Sequence, residues 1–327
     1  KQNQRNCPKT EVFGQFLLYY TIKYTVIGWE TKMKKKVIER RIGAYIFILP
    51  AVIFMLFFVG YPIFYNIIIS FKKVDLMTLS SGDSIFTGLQ NYLTIFKNNI
   101  FRTSIKNTLF FSVMCIILQF FIGFSLALFF NRDFRLAKFI RGLIMVAWLI
   151  PITITALNAK FMFSMQGGII NYILLRSSFI EEPIPWLVAP KPAMWSLILT
   201  NVWIGIPFNM ILLVTGLSTI SEYIYEAADI DGAKWYHKVW FITIPGIKHS
   251  IYAVLTLGFI YTFKVFDLVF IMTNGGPVNA TEVMSTLAYR YSFNQFHFGL
   301  GAATANILCL ILLCISILYL YIIKKEE

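Results

Sequence analysis

The side chains best suited to nucleophilic, redox or metal chemistry are few in this chain and badly placed for it. His237, His249 and His297 are scattered without ligand spacing, so no metal site is expected. Cys115, Cys309 and Cys314 sit inside apolar runs and Cys7 lies near the start, which is no disulfide framework. No Ser/His/Asp or Cys/His set stands where a topology would assemble it, and no GxxxxGK[ST] loop is available to cradle a nucleoside triphosphate. The informative spacing is in residues 225–245, YEAADIDGAKWYHKVWFITIP: Glu226-Ala227-Ala228, three residues, Gly232, nine residues, then Ile242-x-Ile244-Pro245. Two small side chains beside a carboxylate make a low-relief helix surface that another protein can approach closely, with Glu226 open to a basic partner. Gly232 allows a turn with positive φ, and Ser218 and Ser221 are suited to cap the helix. A second amphipathic stretch, AKWYHKVWF, follows. This is the chemistry of docking rather than of bond making.

The elements that must carry this island are apolar. Of 327 residues 57% are hydrophobic, 17% aromatic and 14% charged, against about 25% charged in an ordinary soluble domain. A water-soluble fold is therefore not expected. Crossing about 30 Å of hydrocarbon takes roughly 20 helical residues, and six segments qualify: 43–70, 105–130, 139–162, 193–217, 250–273 and 299–323. Their length and uniform apolarity exclude barrel strands. The predicted fold is all-α, a polytopic membrane protein of six core helices within one domain, 43–323, with the polar loop 218–249 inside it. Pro50 and Pro62 predict kinks in the first span, and SSGDS, EEPIPW and NGGP mark loops. Gly275, Gly276 and Pro277 predict a tight turn. Asn279-Ala280-Thr281 meets the glycosylation pattern by chance.

Lys and Arg concentrate before the first span, in the second-to-third and fourth-to-fifth loops and in the tail. The positive-inside rule then places both termini and 218–249 in the cytoplasm, and this bias explains the net charge of +13. Basic residues spread over loops without stacking aromatics argue against nucleic-acid binding. Residues 1–42 read as a cytoplasmic extension. Within it 15–28 suit an interfacial helix at most, and the alternative is that 1–32 is an upstream stretch without a role, since Met33-Lys-Lys-Lys resembles a start. No small-residue cleavage site follows the apolar run, so a cleaved signal is not expected.

The 226–245 spacing resembles the EAA motif of permease subunits in binding-protein-dependent ABC importers, with Ile244 where Leu is usual. WLIP at 148–151, NVWIGIPFNMILLVTGL at 201–217, FDLVFIMTNGGP at 266–277 and YRYSFNQFHFGLGAATA at 289–305 narrow the resemblance to carbohydrate permeases of the maltose-transporter type, over roughly residues 40–325. The resemblance implies a bacterial plasma-membrane protein that couples to ATPase subunits through Glu226, Ala227, Ala228, Gly232, Ile242 and Pro245. It implies as partners a second, nonidentical permease, two ATP-binding subunits that hold the ATP and Mg, and an extracytoplasmic solute-binding protein. This chain would itself be no enzyme and would carry no cofactor.

Sugars present hydroxyls that need hydrogen-bond partners and C–H faces that pack on aromatic rings. Asn201, Gly205 and Phe208 share one helical face at i, i+4 and i+7. By resemblance they are pathway positions, as are Trp148 and Ile152 in the third span and Gly258, Tyr261 and Thr262 in the fifth. Asn201 also suits a helix–helix hydrogen bond, and Gly205 and Gly258 suit close packing. Ile152 and Gly258 stand where the maltose permease has hydroxyls, so maltose itself is not the expected cargo. Lys264 and Asp267, one turn apart in a predicted span, read as a structural ion pair near the outer gate, with substrate contact as the alternative. The alternatives are a permease for a glycerol-phosphate-like or other non-sugar solute, or an ion-coupled carrier. A membrane enzyme would need clustered catalytic groups, which the sequence lacks.

Overall fold

The computed structural model describes residues 45–81, 84–132 and 134–326, so the expectations for 1–42 lie outside the described residues. The chain divides between Tyr65 and Asn66 into two compact units. In the first lies most of helix α1, Tyr45–Ser70, which continues through Pro50 and Pro62 and carries one π-helical turn at Leu56–Gly60.

The second unit is built on two long helices, α4 (Asn99–Phe130) and α8 (Pro190–Leu217). They are preceded by β1 (Lys72–Lys73), α2 (Leu76–Ser81), β2 (Ile85–Phe86) and α3 (Gln90–Lys97). The strands form an antiparallel pair, Lys72 opposite Phe86 and Lys73 opposite Ile85. Helix α4 starts where the Asn98 side chain accepts the Ile100 N–H at 2.8 Å, an N-cap that satisfies an otherwise orphan donor. Helix α8 starts on Pro190, whose missing N–H costs nothing in a first turn. Its internal Pro207 cannot donate to the Trp203 carbonyl, yet the helix continues.

The two helices run side by side in the same direction. Phe111 and Cys115 pack with Met194, Leu197 and Ile198 at one level. Ala127 and Phe130 pack with Met210, Leu213 and Leu217 at the other. Gly123 permits the approach, since a Cβ there would stand 2.9 Å from the Asn209 Cβ. Between them the chain returns through α5 (Ala137–Leu149) and α6 (Ile152–Met162), then α7 (Ile169–Arg176). After α8 come α9 (Glu222–Ile230) and α10 (Trp235–Lys238), which runs on through a π-turn at Val239–Thr243. Helix α11 (Lys248–Phe263) returns, followed by α12 (Asp267–Met272), α13 (Met284–Tyr289) with a π-turn at Arg290–Asn294, and α14 (Phe298–Glu326).

Two predicted spans need correction. Residues 139–162 form two helices that meet at 91° rather than one straight helix. Pro151 holds an extended φ/ψ and has no N–H to continue the ladder. Residues 250–273 form a helix that stops at Phe263 and a short second one that starts at Asp267. Phe266 between them has φ −129° and ψ −63°, outside the helical well. The helices long and apolar enough to cross a membrane among the described residues are Tyr45–Ser70, Asn99–Phe130, Pro190–Leu217 and Phe298–Tyr321, with α5 and α6 as a bent pair.

Residues 273–297 form a dense polar knot. Glu282 is fully buried, ion-paired to Arg290, and accepts the Thr286 hydroxyl at 2.6 Å. Arg290 also donates to the Asn279 side chain at 2.7 Å, so the asparagine of the glycosylation pattern is engaged within the fold. The expected turn is present: the Gly276 N–H donates to the Thr273 carbonyl at 2.9 Å, and Gly275 has φ +79°. Burial raises the neighbouring Tyr291 phenol above its ordinary value, with the Arg290 charge opposing.

Candidate functional site

A cavity of about 260 Å³ opens where α5, α6, α8 and α11 meet. All eight pathway positions line it: Trp148, Ile152, Asn201, Gly205, Phe208, Gly258, Tyr261 and Thr262. The bend at Pro151 is what turns Trp148 and Ile152 toward the same space, since they flank it on different helices. The i, i+4, i+7 face of α8 supplies Asn201, Gly205 and Phe208, and one face of α11 supplies Gly258, Tyr261 and Thr262.

One wall is aromatic. Trp148 stacks on Phe208 with centroids 5.7 Å apart, and Phe208 meets Tyr261 edge-on at 6.1 Å. Such offset and edge-to-face rings hold one another in place and leave apolar faces free. Beside it lies a row of amides. Gln119 of α4 donates to the Asn201 carbonyl at 3.0 Å and to its side-chain oxygen at 2.9 Å. Asn209 donates to the Gly205 carbonyl at 2.8 Å and to Gln119 at 3.4 Å. Asn201 thus makes the helix–helix bond and faces the cavity together. Gly205 is required by this row, because a Cβ there would come within 2.4 Å of the Gln119 amide. Gly258 is different: its nearest neighbour to a Cβ would be Ile116 at 3.9 Å, so packing does not demand glycine. The Thr262 hydroxyl is turned back to the Gly258 carbonyl at 2.8 Å.

Lys264 and Asp267 correct the expected ion pair. Among the described residues no ion pair joins them, because the break between α11 and α12 destroys the helical spacing that would bring them together. The Lys264 ammonium lies 5.2 Å from the Tyr261 ring centroid, a cation–π contact, and both charges line the cavity. The sequence reading missed Gln119, Asn209 and Asp267 as lining residues, while Lys264 was its candidate for a basic residue on the pathway. Gln119 had a usable signal: a lone amide in the run MCIILQFFIGF must find a polar partner inside a membrane protein.

The predicted docking island is a separate feature. In α9 no residue is buried, and Glu226 is exposed with Ala227 and Ala228 beside it. Ser221 occupies the N-cap position, but its hydroxyl makes no capping bond, and Ser218 instead closes α8. Gly232 has φ +70° and turns the chain, as expected. Lys238 is ion-paired to Asp229, and the Tyr225 and Thr243 hydroxyls bond at 3.0 Å, tying α9 to the segment after it. Ile242 is half-buried and Pro245 exposed.

An all-helical, multi-pass membrane protein with a cavity among its helices and an unburied amphipathic loop belongs to the class of polytopic transport proteins. The chain belongs to the family of binding-protein-dependent transport system inner membrane components, whose family model matches residues 119–325. It is 32% identical to the trehalose/maltose transport system permease protein MalF of Thermococcus litoralis, over 88% of this chain and 95% of that one. It is 29% identical to the sulfoquinovosyl glycerol transport system permease protein SmoG of Agrobacterium fabrum, over 88% and 92%. Among solved structures it is similar to a chain of a bacterial ABC transporter involved in the import of the acidic polysaccharide alginate, with a TM-score of 0.76 at 23% identity, covering 89% and 98%.

Proposed function

We propose that this chain is a permease subunit of an ATP-driven, binding-protein-dependent importer and forms half of the pathway for a sugar or oligosaccharide. The observation that carries the reading is the cavity itself, an aromatic wall beside a row of amides. The Trp148, Phe208 and Tyr261 rings offer surfaces for sugar C–H faces, and Asn201, held in place by Gln119, offers its amide nitrogen to hydroxyls. The family and the sugar-linked names of its relatives support the same cargo class.

In this reading α9 is the coupling helix. Its small residues enter a cleft in an ATPase subunit, and Glu226 meets a basic group there. Two ATPase subunits hold ATP and Mg, a second permease completes the pathway, and an extracytoplasmic binding protein delivers the cargo. Both termini and residues 218–249 are cytoplasmic, as the distribution of Lys and Arg favours. Closure of the ATPase dimer would move α9 and expose the cavity alternately to the two sides, a rigid-body rocking. Shifting such an equilibrium from 1:99 to 99:1 takes about 5.5 kcal/mol of differential interaction, within reach of nucleotide binding at two sites.

The test is ATP hydrolysis by the co-purified complex in lipid nanodiscs, with the binding protein loaded in turn with mono- and oligosaccharides. Stimulation by a loaded sugar is expected. No co-purifying ATPase, or hydrolysis indifferent to every sugar, sinks the reading.

A further inference from the structure

A second cavity, of about 860 Å³, lies beside the last turns of α4, where Ser125 and Phe129 form one wall. The other walls come from Tyr225 of α9, Trp235 and Lys238 of α10, and Arg132 beyond the end of α4. Its volume falls within the roughly 300–1,000 Å³ of small-molecule sites.

The cavity is rich in unspent donors. The Arg132 guanidinium, the Asn131 amide and the Trp235 indole N–H have no hydrogen-bond partner among the described residues. Lys238 gives one of its three N–H donors to Asp229 and keeps two. The hydroxyls nearby are already committed, Ser125 to the Phe121 carbonyl and Ser218 to Thr215. Among the described residues Glu222 is the one carboxylate in the lining. Such a set calls for a ligand that is almost all acceptor, with negative charge. A phosphodiester fits, whereas a headgroup bearing its own ammonium would find, among the described residues, Glu222 alone to receive it.

Depth assigns the source. From Ser125 to Arg132 the chain climbs about 10 Å at helical rise, off the end of a membrane-spanning helix. A headgroup layer is roughly 5–7 Å thick on each side of the hydrocarbon. The donors therefore stand at headgroup level, while Phe129, 53% exposed, lies below them where acyl chains run. Trp235, Trp240 and Phe241 are also exposed, as aromatic side chains at a membrane interface are.

We propose that this cavity binds the phosphodiester of an anionic membrane lipid, whose headgroup bridges the end of α4 and the α9–α10 segment. Binding is measured on the purified full-length chain by native mass spectrometry, with phosphatidylglycerol and phosphatidylcholine of identical acyl chains. Phosphatidylglycerol is expected to be retained preferentially. Arg132→Gln should weaken its retention about fivefold, the worth of one cation near an anionic membrane. Lys97→Gln, outside this cavity, should change nothing. Trp235→Phe keeps the ring and removes the indole N–H, so it reports on the site even if Arg132→Gln folds poorly; a loss of about threefold is expected. Equal retention of the two lipids, or wild-type retention in both variants, overturns the proposal. Displacement of the lipid by millimolar inorganic phosphate overturns its assignment to a lipid.

Discussion

The two connections that flank α11 are built on opposite plans. Residues 273–297 close on themselves: Glu282 is fully buried, Arg290 and Thr286 satisfy it, and Asn107 of α4 donates to the Asn279 and Glu282 carbonyls at 3.2 and 3.0 Å. Residues 218–249 do the reverse. Helix α9 buries nothing, and Tyr223 and Ile230 are 75% and 89% exposed. A loop anchored by a buried ion pair, as this one is at Glu282 and Arg290, transmits force as a rigid part of the bundle. An amphipathic helix with no buried face holds its position through a few ties, Asp229–Lys238 and Tyr225–Thr243. The contrast separates a loop finished within the chain from one whose surface the chain itself does not use.

Four substitutions break or sharpen that contrast. Glu282→Ala strips the partner from a partly buried guanidinium and should cost about 3–5 kcal/mol, seen as a lowered unfolding temperature in detergent; a shift too small to resolve would remove the distinction. Gly275→Ala combines a φ of +79° with a Cβ 2.4 Å from the Glu282 carboxylate, and should cost about 1–3 kcal/mol. Gly232→Ala meets a similar φ of +70° but nothing within 4 Å, so it should cost only about 1 kcal/mol. The difference between these two glycines isolates packing from backbone strain. Glu226→Gln should leave stability within about 0.5 kcal/mol while co-purification of the ATPase subunits and uptake are lost. Normal uptake in that variant would unseat α9 as the coupling element.

Periodicity and apolar length located the membrane helices because both are properties of a single segment. The face shared by Asn201, Gly205 and Phe208 was equally readable, since helical spacing alone puts them together. What could not be read was how helices stop. Ile150-Pro151 bends the chain by 91° inside an apolar stretch that hydropathy treats as continuous. The break at Lys264–Phe266 has no Gly or Pro to announce it, so Lys264 and Asp267 looked like neighbours on one turn. Ser221 has the right type and position for a cap, yet its hydroxyl makes no bond. The cavity positions came from family resemblance, and the row of amides behind them needed α4 beside α8, a pairing no single segment encodes.

The interruption between α11 and α12 also has an electrical consequence. Asn201 and Phe208 lie about 16 and 27 Å along a helix about 42 Å long, so the cavity they line is near its middle. Two charged side chains at that depth need polar or aqueous surroundings, because hydrocarbon offers them no partner. A water-filled recess conducts, and the membrane voltage then falls mainly across whatever thin layer closes it. Under the rocking proposed above the closing layer changes sides, so Lys264 and Asp267 on the recess wall pass from one side of the voltage drop to the other. Moving a full elementary charge through it is worth about 2.3 kcal/mol per 100 mV, and because these two side chains carry opposite charges their contributions cancel.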